Sequence, residues 1–155
     1  KTIYAFFHNR TDDAKIVTII HQLSDTTKVK DYAAGYALLD DVLKARVTMP
    51  MYEGVFGHVT NSPVLGTLQY MDWNRMISFD VDQVTGERVA NGMVKLKYTN
   101  SPQFIRTQMS FRDVNGKWYI DQIPSFFPET PNEQPRQGLS STRPVYGPMA
   151  PAKPH

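Results

Sequence analysis

Apolar positions change their spacing partway along the chain, dividing it into a helical first part and a strand-forming second part. After an apolar-aromatic start at Ile3, Tyr4, Phe6 and Phe7, Thr11-Asp12-Asp13 reads as a helix N-terminus. A capping hydroxyl is followed there by acids that suit the positive end of the helix dipole. Ile16, Ile19, Ile20 and Leu23 follow at i, i+3, i+4 and i+7, one apolar stripe. Ser24-Asp25-Thr26-Thr27 reads as its break. A longer second helix is predicted over 28–47, burying Val29, Tyr32, Ala33, Tyr36, Leu39, Leu43 and Val47, with Asp40 and Lys44 as an exposed pair. Pro50 suits both a stop and the start of a short third helix over 51–59. Thr60-Asn61-Ser62-Pro63 closes it.

From there the period becomes two. Leu65 to Met71 suggests a first strand, and Ile77, Phe79 and Val81 alternate with Ser78, Asp80 and Asp82 in a half-buried one. Beyond a Thr85-Gly86 turn, Val94, Leu96 and Tyr98 alternate with Lys95 and Lys97. Asn91-Gly92 reads as a bulge or loop end in that strand. After Asn100-Ser101-Pro102, Ile105, Thr107, Met109 and Phe111 alternate with Arg106, Gln108, Ser110 and Arg112. Asp113-Val114-Asn115-Gly116 is the clearest hairpin loop. Residues 117–123 form the last strand, with Trp118 and Ile120 on one face, Tyr119 and Asp121 on the other, and Pro124 at its end. Helices followed by an antiparallel meander predict an α+β domain whose sheet wraps on the helices.

Composition adds an appendage to that domain. Seven of the 11 prolines fall in the last stretch, Pro128 to His155, which lacks helical or strand period. Proline removes backbone donors and fixes φ, so an extended tail is expected. The chain thus divides into an N-terminal segment (1–10), a folded domain (11–127) and a Pro-rich tail (128–155). A tail this poor in apolar residues becomes ordered by leaning on something else, and Tyr146 and Met149, flanked by Pro144 and Pro148, are its candidate anchors on a partner.

Charge and chemistry mostly exclude. With 17 Lys+Arg against 15 Asp+Glu the net charge is +2, and domain and tail are each near neutral. A polyelectrolyte partner driven by bulk charge is therefore excluded, and no RNA-binding aromatic motif is present, so no nucleic acid is expected. The absence of cysteine excludes disulfides, thiolate zinc sites and thiol catalysis. His8, His21, His58 and His155 have no metal-site spacing, so neither a metal nor a cofactor is expected. Asp80 and Asp82 on one strand and Lys95 and Lys97 on its neighbour suggest cross-strand ion pairs. Lys95, Lys97, Arg106 and Arg112 suggest a basic stripe on the outer sheet face. No run of 18 apolar residues occurs. The chain begins at Lys1 rather than Met, from which a removed signal or anchor and an extracytoplasmic, periplasmic setting are expected.

The helix-then-meander layout, closing on Arg112-Asp113-Val114-Asn115-Gly116-Lys117-Trp118-Tyr119-Ile120-Asp121-Gln122-Ile123, resembles the nuclear-transport-factor-2-like, or cystatin-like, superfamily. The layout is also similar to the periplasmic assembly domain of type IV secretion systems. The resemblance implies a cone-like sheet around the helices, and a fold that hosts both enzymes and binding domains. Its enzymes place an acid and a tyrosine in an apolar cone. In this chain that implies Asp40 or Asp41 as base, with Tyr36, Tyr98 or His58 as hydrogen-bond donor. Two functions are expected: a non-catalytic assembly subunit with a docking tail, acting on a protein partner or a second copy, or a small isomerase, dehydratase or cyclase.

Overall fold

The computed structural model describes residues 2–124 and Ser140, and of residues 2–11, Met76 and Ile77 the backbone alone. Four helices come first: α1 (Thr2–Lys28), α2 (Tyr32–Tyr36), α3 (Asp41–Arg46) and α4 (Met49–Val59). An antiparallel sheet in the order β1-β2-β3-β4-β5 follows, from β1 (Asn61–Ser62), β2 (Gly66–Val81), β3 (Arg88–Tyr98), β4 (Ile105–Val114) and β5 (Lys117–Gln122). The fold is α+β, with helices against one face of a curved, open sheet. Register shifts along the β2–β3 pair, and one between β4 and β5, supply extra residues that bend and twist strands.

The first helix runs further than its apolar stripe predicts, from Thr2 through the expected break at Ser24–Thr27. The hydroxyls of Thr26 and Thr27 donate back to the Leu23 carbonyl at 3.1 and 2.6 Å, so the polar run folds onto the helix instead of ending it. Termination comes at Lys30, whose φ of 64° is left-handed. Lys30 N–H donates to Thr27 O and Asp31 N–H to Thr26 O, the paired bonds of a Schellman cap. Val29, expected inside, is 74% exposed on this turn.

The predicted helix over 28–47 is two short ones, α2 and α3. Between them Leu38–Asp40 is extended and lies along β5: Ile120 N–H donates to Leu38 O at 2.8 Å and Asp40 N–H to Ile120 O at 3.0 Å. Leu39, Leu43 and Val47 are buried as expected, but Ala33 is exposed. Helix α4 starts at Met49 beneath a Thr48 cap, with Pro50 in its first turn.

In the sheet, the two strands predicted over 65–71 and 77–82 are one 16-residue strand, β2. A register shift falls opposite Asn91-Gly92, its extra residue on β2. The β4–β5 hairpin turns at Asn115 (φ 55°) and Gly116 (φ 89°), the positive-φ pair of a type I′ turn. The expected ion pairs between Asp80/Asp82 and Lys95/Lys97 do not form, because the hairpin turns between Asp82 and Glu87 and so sets Asp80 opposite Val89, Lys95 opposite Asp72 and Lys97 opposite Tyr70. One core joins both parts: Ile16, Ile20 and Leu23 of α1 and Phe56 of α4 pack with Val94, Leu96, Met109, Phe111 and Ile120 of the sheet. Among the described residues, no helix is long and apolar enough to cross a membrane.

Candidate functional site

The densest buried chemistry lies where the β2–β3 hairpin, β4, β5 and the start of α3 meet. Asp82 shapes the hairpin: its Oδ1 accepts the N–H of Val84 (2.8 Å) and Thr85 (3.3 Å), and Gly86 takes a positive φ of 76°. The turn brings Asp82 and Glu87 beside Arg112 of β4. Arg112 Nη1 donates to Asp82 Oδ2 at 2.9 Å, Glu87 Oε1 at 3.1 Å and Thr85 Oγ1 at 3.4 Å. Its Nη2 stands 3.5 Å from Asp121 Oδ2 of β5. Arg112 is 6% exposed, so it does not join an outward basic stripe; the carboxylates of the hairpin end and β5 draw it under cover.

Asp40 completes this cluster from the helix side. Its Oδ1 accepts Leu43 N–H at 2.9 Å, capping α3, and the residue is 3% exposed. Its Oδ2 meets no donor. The neighbouring Asp121 carboxyl becomes a hydrogen-bond partner only when one of the two acids carries a proton. Burial first, then contact with Asp121, raises the Asp40 pKa to about 7, against the lowering pull of the Leu43 N–H and Arg112. Asp82 is held below the usual carboxylate range, foremost by the Val84 N–H bond. Four carboxyls thus surround one guanidinium, and burial beside Asp121 favours the protonated form of Asp40.

The other acid-base candidates have different surroundings. Asp41 is exposed in the first turn of α3. The Tyr36 hydroxyl donates to Val47 O at 2.7 Å, with Lys44 O at 3.3 Å, holding the end of α3. Tyr98 is 1% exposed, and burial raises the pKa of its hydroxyl. His58 is exposed near the end of α4. The partners found for Asp40 are Leu43, Lys44, Ile120, Asp121 and Arg112, none of these candidates.

Three further features have no clear signature in sequence spacing. Buried Asp12 accepts from Trp118 Nε1 at 3.1 Å and from Arg88 Nη1, while Arg88 stacks over Phe79 and Trp118. The residue read as a helix start instead ties α1 to β3 and β5. Across the other sheet face, Asn91 Nδ2 reaches Ser78 Oγ at 3.5 Å, and Ser110 Oγ stands 2.6 Å from Asn91 Oδ1 and 3.0 Å from Gln122 Oε1. This polar row crosses four strands. An open cleft of about 290 Å³ lies between α1 and β2. His21 Nε2 meets Asp72 Oδ1 there at 2.8 Å, and Ser24 Oγ accepts Met71 N–H.

Among the described residues, no group of three or more His, Asp or Glu is placed to hold a metal ion. Tyr146, Met149, Pro144 and Pro148 lie outside the described residues. Ser140 is described and forms an antiparallel bridge with Gln122 at the end of β5. No family model matches this sequence, and no curated protein matches it.

Proposed function

We propose that this chain is a non-catalytic binding or assembly subunit of a larger protein complex, with a nuclear-transport-factor-2-like domain and residues 128–155 as its docking arm. An extracytoplasmic envelope complex of the secretion type is the setting, and a protein partner or a second copy is what the arm engages. The observation that carries this reading is the bridge from Ser140 to Gln122, a backbone contact between the Pro-rich tail and an edge of the sheet. Side-chain packing supports it as well. Met109 and Trp118 are buried and Phe79 packs on Trp118 at 6.1 Å, so large side chains occupy the sheet face where an enzyme of this shape needs an open cone. The test is the mass of the purified complex, by light scattering and pull-down, with and without residues 128–155. Deletion is expected to lower it; an unchanged mass overturns the arm.

A second reading, an isomerase, dehydratase or cyclase acting on an apolar small molecule, draws on Asp40, a buried carboxyl with a pKa of about 7. Its 3% exposure weighs against direct contact with a substrate.

A further inference from the structure

Two features of the chain meet at the β5 edge. The first is in the sequence. Beyond residue 127, prolines stand at 128, 131, 135, 144, 148, 151 and 154, leaving residues 136–143 as an eight-residue window without one. That window reads Arg136-Gln137-Gly138-Leu139-Ser140-Ser141-Thr142-Arg143. A segment that pairs with a strand must donate backbone N–H groups, which proline cannot do, so this is where the tail keeps the capacity to pair.

The second feature is the edge itself. One side of β5 pairs with β4, and on the other Ile120 exchanges hydrogen bonds with Leu38 and Asp40. Two residues beyond Ile120, Ser140 bridges to Gln122 from the middle of the window. After Glu133 the tail carries Arg136, Arg143 and Lys153 and no acid.

We propose that the β5 edge beside Gln122 is the seat of the chain's own segment 136–143, held by backbone pairing as a short added strand. The assignment deepens the docking-arm reading, and rests on it only for what the seated arm accomplishes. It moves the anchor from the Tyr146 and Met149 side chains to the backbone at Ser140. The seat is short, because Leu38–Asp40 occupies the edge at Ile120, and this makes the arm releasable.

Hydrogen–deuterium exchange of the full chain tests the proposal. An antiparallel bridge at Ser140 draws its tail donor from Ser140 or the next residue, so the variant S140P/S141P removes both. A150P/A152P adds two prolines outside the window as a control. Amides at the end of β5, Gln122 and Ile123, are expected to exchange at least about tenfold faster in S140P/S141P and unchanged in A150P/A152P. Equal exchange in all three chains overturns the seat. Protection that rises with protein concentration also overturns it, assigning the edge to a second copy. If no complex or oligomer forms, the docking-arm reading fails while the exchange result stands.

Discussion

Asp40 carries two demands that act against each other. As the cap of α3 it accepts Leu43 N–H, a bond that favours the ionised form, while burial and Asp121 favour the protonated one, and the second pair prevails. An Asp in an unfolded chain titrates near 3.9, against about 7 here. Between those pH values the native chain holds a proton that the unfolded chain has released. The stability contributed by this group is therefore present below about pH 4 and lost as pH rises through about 7. Asp13, raised by burial and by Asp12, slopes the same way, whereas Asp72 and Asp82, held low, contribute stability that is lost on acidification. Asp40→Asn keeps a cap acceptor and removes the titration, so it isolates one group. In urea titrations from pH 4 to 7.5, the stability of the native chain relative to this variant is expected to fall by up to about 1.4 kcal/mol per pH unit. A difference independent of pH overturns the shared proton.

Elements here end and bend for reasons that lie partly outside them. Helix α1 stops where Lys30 turns left-handed, and α2 and α3 separate because Leu38–Asp40 satisfies the backbone of Ile120. In β3, Gly92 leaves room for the Trp73 ring: a Cβ there would meet that ring, with Arg75 O 3.3 Å away. Gly92→Ala forces the indole or the strand to move, at a cost of about 1–3 kcal/mol. The denaturation midpoint of the variant is the measurement, and one equal to that of the native chain would mean that the ring moves aside freely. The outer edge of β2 is blunted locally: Met71 N–H goes to Ser24 Oγ, and the N–H groups of Trp73 and Val81 go to the carboxylates of Asp72 and Asp80. Edge amides satisfied by side chains have little to offer another strand at those positions.

For the whole molecule, the core makes helices and sheet interdependent, since Ile16, Ile20 and Leu23 of α1 are buried against the sheet, chiefly along β2 and beside β5. Both tryptophans belong to the sheet, and Trp118 Nε1 bonds to Asp12 of α1. Far-UV circular dichroism and tryptophan fluorescence are accordingly expected to report one coincident unfolding transition; separated midpoints would mean that the helices and the sheet unfold apart. Much of this architecture is legible in the chain: the stripe of Ile16, Ile19, Ile20 and Leu23, the alternation along β3 and β4, and the Asn115-Gly116 turn are local signals set by 3.6- and two-residue periods. The candidate site was legible only in part. Asp40 stands out as an acid near apolar helix positions, but its partner Asp121 is 81 positions away, and Arg112 looks outward by simple alternation. By itself the sequence determined the class of each main element, the membership of most of the core and the Pro-rich tail, because periodicity, turn residues and proline act over a few positions. Tertiary structure alone decided the register of β2 on β3, the split of the second helix, the burial of Arg112 among four carboxyls, and the meeting of Ser140 with Gln122. Those outcomes depend on pairing and desolvation between residues far apart in the chain, which no local pattern encodes.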